Sequence, residues 1–229
     1  DSASYVSAWM SPFIVNDNGV GGIKNTELQK MLAGKIVSIR PFASTYTHGV
    51  GGSMRPEDTE TALQLLYLGF VKPTEDPAAF AALQAQFNAF LANRANSPDQ
   101  VFADSVNAVN TGGLYLAKVP TAGEVAAVKL PQALDFYKKR FANAADFTFF
   151  FAGTFKVDSL VPLLARYLGS LPSTGKRASM YVAKGPRFPD GITKVEVKKG
   201  VEPKGSVRMT FFTHEPIEEL DQHRANTAA

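Results

Sequence analysis

Ten residues near the middle of the chain, DFTFFFAGTF at 146–155, hold five aromatic rings and a single charge. Within them, Phe147–Ala152 has five apolar residues and one threonine. Such a run is too apolar for a surface loop and far too short for the roughly 18 residues of a membrane span. A short continuous apolar run bounded by a charge and a glycine reads as a strand buried on both faces. The run therefore predicts a central, buried strand, and with it a sheet.

Helical patterns surround that strand. Residues 3–10 read as the end of a short helix, and VNDNGVGG (15–22) as turn chemistry. NTELQKMLAG reads as a short helix capped by Asn25 or Thr26, striped by Leu28, Met31 and Leu32, and ended by Gly34. KIVSIRPFASTYTHGV reads as two strands joined near Pro41. Pro56 suits a first helical position, and Glu57, Asp58 and Glu60 suit the first turn. Helices are predicted over 56–70, 76–94, 98–110 and 131–141. VDSLVPLLARYLGSLP is a further helix, capped by Asp158 or Ser159, with Pro162 in its first turn. Ser173 to Gly191, rich in Gly, Pro, Ser and Lys, reads as a linker. ITKVEVKKG and SVRMTFFTHE beyond it read as strands, and PIEELDQHRANTAA as a helix cut short. The fold class expected is α+β, a two-layer sandwich with a mostly antiparallel sheet and helices on one face. The domain division expected is 1–172, a linker at 173–191, and 192–229 as the opening of a following domain.

Chemistry-bearing residues are sparse. No cysteine occurs among the 229 residues, which excludes disulfides, thiolate nucleophiles and cysteine zinc sites. The net charge of +3 is scattered, with basic runs no longer than doublets such as Lys138-Lys139 and Lys198-Lys199, so no nucleic-acid groove is expected. His48 precedes GVGGS and a helix start, which superficially resembles a phosphate loop. Pro56 has no N–H to donate, three carboxylates follow, and the spacing is not that of a P-loop. His214 and His223 lie nine residues apart, a spacing that places no pair on one helix face. Glu57/Asp58 and Glu218/Glu219 are adjacent pairs and read as solvated faces. No G-x-S-x-G elbow occurs. His48 thus reads as a residue at a strand end, with no catalytic and no metal site residue assigned anywhere.

Four stretches together carry a family likeness: GVGGIKNTELQKMLAGKIVSI, GGSMRPEDTETALQLLYLGFVKP, FYKKRFANAADFTFFFAGTFKVDSLVPLLARYLGSLPSTG and KGVEPKGSVRMTFF. They resemble the insulinase/pitrilysin family of zinc peptidases, the inverzincins, in their bacterial long-chain form. That family closes two halves as a clamshell, each half built of two related α+β domains. The chain resembles the third domain, the non-catalytic first domain of the second half. The family's zinc helix corresponds to Ser2–Met10, where no histidine or glutamate stands. Its third-ligand helix corresponds to Gln84–Arg94, and no glutamate lies between Glu75 and Glu124. The ligands and the water-activating glutamate are therefore all missing.

The resemblance implies no catalysis and no cofactor in this domain, with zinc held elsewhere in a longer parent peptidase. It implies a chamber wall that assists peptide binding, partnered by the catalytic half of the same chain and by peptide. It also implies a periplasmic or cell-envelope setting. A structural homologue without peptidase activity, like a core or partner subunit, is the alternative, and an independent enzyme with an unrecognised site is a third reading. No nucleic acid or membrane span is expected. Ser206 to Phe212 is expected to pair, either with the sheet of its own domain or with a second copy in self-association.

Overall fold

The computed structural model describes residues 4–44, 47–178 and 187–212. Its elements begin with α1 (Tyr5–Asn18), a two-strand hairpin β1 (Gly19–Val20) and β2 (Ile23–Lys24), and α2 (Asn25–Met31). An antiparallel ribbon follows, β3 (Val37–Ala43) with β4 (His48–Met54). A 3-10 turn at Pro56–Asp58 leads into α3 (Thr59–Val71). Then come α4 (Pro77–Asn96), α5 (Pro98–Asn110), α6 (Ala122–Ala126), α7 (Leu130–Arg140) and α8 (Val157–Tyr167).

The architecture is mixed but mostly helical, and the expected extended sheet is replaced by two small antiparallel pairs among the described residues. The core lies where α1 meets α7, α4 and β3. Val6, Met10 and Ile14 recur every fourth residue of α1 and place one face of the helix inside. From the other side come Leu66 and Phe70 of α3, Phe80 and Leu83 of α4, and Ala133, Leu134 and Tyr137 of α7.

The length of α1 was not expected, because it runs through Pro12 and the turn-like sequence NDN. Proline removes the N–H that would bond the carbonyl four residues back and normally breaks a helix. Here the orphaned acceptor is the Ala8 carbonyl, and the buried Ser11 hydroxyl donates to it at 2.8 Å. Ser11→Ala is expected to leave that carbonyl unpaired and to destabilise the fold by about 1–3 kcal/mol. Urea unfolding of the two proteins measures this. An unchanged midpoint would mean that the hydroxyl contributes nothing.

Gly19, at φ +98°, stops the helix, and its N–H closes on the Val15 carbonyl. The chain then turns back at once. Thr74 locks this turn: its N–H donates to Gly19 O, its hydroxyl to Ile23 O, and the hydroxyl also accepts from Gly22 N.

The strand-to-helix reading of HGVGGS holds, since β4 leads directly into the Pro56 turn and α3. Gly52 sits opposite Ile39, and a Cβ there would lie 2.0 Å from the Ser38 carbonyl oxygen, so close backbone approach requires the glycine. The strands do not join at Pro41, because β3 continues to Ala43 and Pro41 pairs with Val50 inside it. A two-stranded ribbon leaves each strand one free edge, where a missing N–H costs nothing.

Several other expectations need correction. Asn25 lies inside α2 and accepts from Gln29; Lys24 holds the cap position with no side-chain cap. Neither Asp158 nor Ser159 caps α8, and Pro162 stands in its second turn. Phe147–Ala152 belongs to no strand, with Phe147 and Phe149 half-buried against the core and Phe150 88% exposed. The reason is physical: an apolar run becomes a strand only when a neighbour offers its backbone groups, and here the rings are satisfied by other rings instead. Likewise, the described parts of ITKVEVKKG and SVRMTFFTHE carry no strand pairing, so Ser206 to Phe212 has not joined a sheet of its own domain. The expected terminal helix, with Glu218/Glu219, lies outside the described residues.

Candidate functional site

α1 and α4 pack side by side, and an aromatic cluster fills their outer seam. Trp9 lies 5.4 Å from Phe13 and 5.1 Å from Phe87, and Phe13 and Phe87 stand 5.4 Å apart edge to face. Trp9 and Phe87 are half-buried, but Phe13 is 42% exposed and Phe90, one turn along α4, is 56% exposed. α1 therefore has two apolar faces. The 6/10/14 face enters the core, and the 9/13 face meets α4 at the surface. These two helices are the ones that the resemblance matches to the ligand helices of a catalytic domain. Their outer seam is lined by rings, and rings offer no donor set for zinc. Among the described residues no group of three or more His, Asp or Glu side chains could hold a metal ion.

Trp9 is the chain's only tryptophan, yet sequence reasoning did not single it out. The available signal was the surplus of aromatic residues off the 6/10/14 stripe.

His48 opens β4, with its ring edge-on to Phe147 at 5.3 Å and near Phe141 at 5.7 Å. Burial against these rings pushes its pKa below the ordinary 6.5, opposed by a hydrogen bond to the Arg140 backbone. Arg140 lowers it further and Asp146 raises it. Among the described residues no nucleophile or carboxylate hydrogen-bonds the ring, which stays exposed at the strand end and lies edge-on to its aromatic neighbours. Because the folded protein resists protonation here, His48 favours folding above about pH 6.5 and that contribution is lost as pH falls from there to the folded pKa. His48→Gln is expected to flatten the stability profile over that window. Denaturant midpoints collected from pH 7.5 to 5 check this; parallel profiles would contradict it.

Glu57 and Asp58 part company. Glu57 is exposed, but Asp58 is buried, correcting the expectation of a solvated pair. Its carboxylate accepts from Ile36 N at 2.9 Å and Arg55 Nε at 3.1 Å, with Lys35 Nζ at 3.6 Å. The Ile36 N–H, ahead of Arg55 and Lys35 and against burial, holds the carboxyl below its usual range. Asp58 is thus the clamp between the start of β3 and the start of α3. Asp76 does similar work at α4. Burial raises its pKa, but the Ala79 and Ala78 N–H groups and Lys24 outweigh that and hold it low. Neither carboxylate faces a cleft.

A groove of about 900 Å³ opens between α5 and the extended chain of 189–212. Phe102, Val106 and Val109 of α5 form one wall, and none of α5 is buried. His214 and His223 lie outside the described residues.

Residues 127–228 match the family model of the Peptidase M16 inactive domain. The Zinc protease PQQL-like of Arabidopsis thaliana is 26% identical over 218 residues, which is 91% of this chain and 20% of that protein. The Probable zinc protease PqqL of Escherichia coli (strain K12) is 27% identical over 158 residues, 69% of this chain and 17% of that one. The chain thus spans about a fifth of the length of these curated relatives. Among solved structures, the periplasmic protease PqqL from Escherichia coli superposes with a TM-score of 0.68 at 21% identity, covering 82% of this chain and 21% of that one. A peptidase M16 inactive domain from Pseudomonas fluorescens gives 0.61 at 17% identity, over 81% of this chain and 47% of that one.

The fold is accordingly M16-like. The M16 inactive-domain match covers residues 127–228, and the chain is distantly homologous to PqqL-like zinc proteases.

Proposed function

We infer that this chain works as a non-catalytic domain of a longer zinc peptidase, lining the chamber opposite the catalytic half and holding peptide by its apolar side chains. The observation that carries this reading is the aromatic seam of Trp9, Phe13 and Phe87 on α1 and α4. A ligand-free ring surface on those two helices suits a wall that grips substrate without cutting it. Rings supply large apolar contact at low entropic cost and accept many side chains, so the expected binding is weak and tolerant. Zinc and hydrolysis belong, in this reading, to the catalytic half. The division at 173–191 is proposed as the link to a following domain. A periplasmic setting is proposed from the E. coli PqqL neighbour, and no helix among the described residues is long and apolar enough to cross a membrane.

The single tryptophan reports directly on this surface. Titrating the chain with an unstructured peptide bearing Leu and Phe is expected to shift Trp9 emission saturably, and Phe13→Ser is expected to weaken that binding. A polar peptide of equal length should leave the emission unchanged. Emission that ignores the apolar peptide at every concentration would overturn the peptide-holding role.

A further inference from the structure

A cleft of about 250 Å³ opens where the end of α1, α2, β3 and α3 meet. Leu28 of α2, Val37 and Ile39 of β3 and Leu65 of α3 wall it, above the buried Tyr137. Its size falls below the roughly 300–1,000 Å³ of drug-sized sites and suits a ligand of one residue. Two of the residues that line it are charged, and their signs are opposite: Asp17, one residue before the end of α1, and Arg40 of β3. Both are exposed and so stand at its rim.

These two charges are handled unlike the other carboxylates already described. Asp58 and Asp76 are each met by a cation and by backbone N–H groups. Asp17 and Arg40 face one cleft without forming an ion pair, and among the described residues neither side chain makes a hydrogen bond. Burial pushes the Asp17 carboxyl above its usual range and the Arg40 charge pulls it back, so each feels the other across the opening. A partly desolvated carboxylate and an opposed cation over an apolar pocket form a pattern found at binding sites.

We propose that this cleft binds a free apolar α-amino acid. Its ammonium group donates to the Asp17 carboxylate, its carboxylate accepts from the Arg40 guanidinium, and its side chain enters between Leu28, Val37, Ile39 and Leu65. Charge and size together select this occupant. An uncharged apolar molecule would leave Asp17 desolvated and unpaired. A lone anion or a lone cation would satisfy one rim charge and meet a like charge in the other. An α-amino acid is the smallest molecule that brings both charges and an apolar group. The cleft shares no residue with the aromatic seam, so this inference goes beyond the peptide-holding reading and either can fail alone.

Two-dimensional amide NMR of the chain tests it. L-leucine titrated to about 10 mM, enough to fill even a millimolar site, is expected to shift the amides of residues 15–20 and 37–40 saturably. N-acetyl-leucine and leucinamide each lack one charge, and glycine lacks the side chain. Each is expected to bind at least about tenfold more weakly than leucine. Asp17→Asn and Arg40→Gln are each expected to weaken leucine binding at least about tenfold. Far-UV circular dichroism should be unchanged in both variants because both side chains are exposed. The dipeptide leucyl-leucine is expected to bind more weakly, since the cleft has room for one side chain. No saturable shift with leucine, isoleucine or phenylalanine would overturn the proposal. So would binding indifferent to blocking either end, full affinity in either variant, or tighter binding of the dipeptide.

Discussion

Truncating Tyr137 to alanine is expected to destabilise the protein by about 3–5 kcal/mol, the range for removing a large buried aromatic side chain. Three observations set that size. The side chain is 1% exposed and lies in the central cluster. Its ring stacks on Phe141 at 4.2 Å, with planes 14° apart. Its hydroxyl donates to the Gly69 carbonyl at 3.1 Å, tying α7 to α3. Burial alone pushes the phenol pKa up, which keeps it a neutral donor across any working pH. Tyr137→Phe separates the contributions. It retains the ring and leaves only the Gly69 carbonyl unpaired, for an expected cost of about 1–3 kcal/mol. Chemical denaturation of the three proteins checks both figures. A Tyr137→Phe protein as unstable as Tyr137→Ala would assign the whole effect to the hydroxyl and contradict the packing argument.

The second large effect is expected at Gly19. Gly19→Ala places a Cβ 2.3 Å from the Ile23 carbonyl oxygen, at a φ of +98° that L-residues rarely adopt. Neither problem is relieved by rotating a side chain, because both involve backbone. Strained φ costs about 1–3 kcal/mol, and overpacking costs a further 1–3 kcal/mol. The loss is therefore comparable to that of a core truncation, from a single added methyl group. Gly34→Ala is the control: its φ is +83°, but nothing lies within 4 Å of the added atom, so only the strain should appear. Thermal unfolding of both variants compares them. Equal and small shifts would mean that the hairpin yields freely.

What could be read in the sequence followed local chemistry. Pro56 and its acidic neighbours marked the turn that leads into α3, and the helices expected over 76–94, 98–110 and 131–141 appear as α4, α5 and α7. Each is decided within a few residues. Where the outcome depended on side-chain and backbone contacts that no sequence pattern displays, the reading went astray. Pro12 is tolerated because Ser11 replaces the missing donor. Pro41 is tolerated because β3 has a free edge. Phe147 and Phe149 find the rings of Phe70, Phe141 and His48 rather than a neighbouring backbone. Asp58 looked like a solvated face because no local pattern shows that Ile36 and Lys35 will meet it. For the site, the sequence displayed the missing ligands, but the Trp9–Phe13–Phe87 seam exists only once α1 and α4 lie together.

The measurement closest to the central claim, that this domain holds peptide without cutting it, is the zinc content of the purified chain after mild dialysis, read by elemental analysis beside a peptide-cleavage assay. With no group of His, Asp or Glu side chains among the described residues able to hold a metal, the expected result is zinc far below one ion per chain and no cleavage. About one zinc retained per chain, with cleavage that a chelator abolishes, would contradict the account.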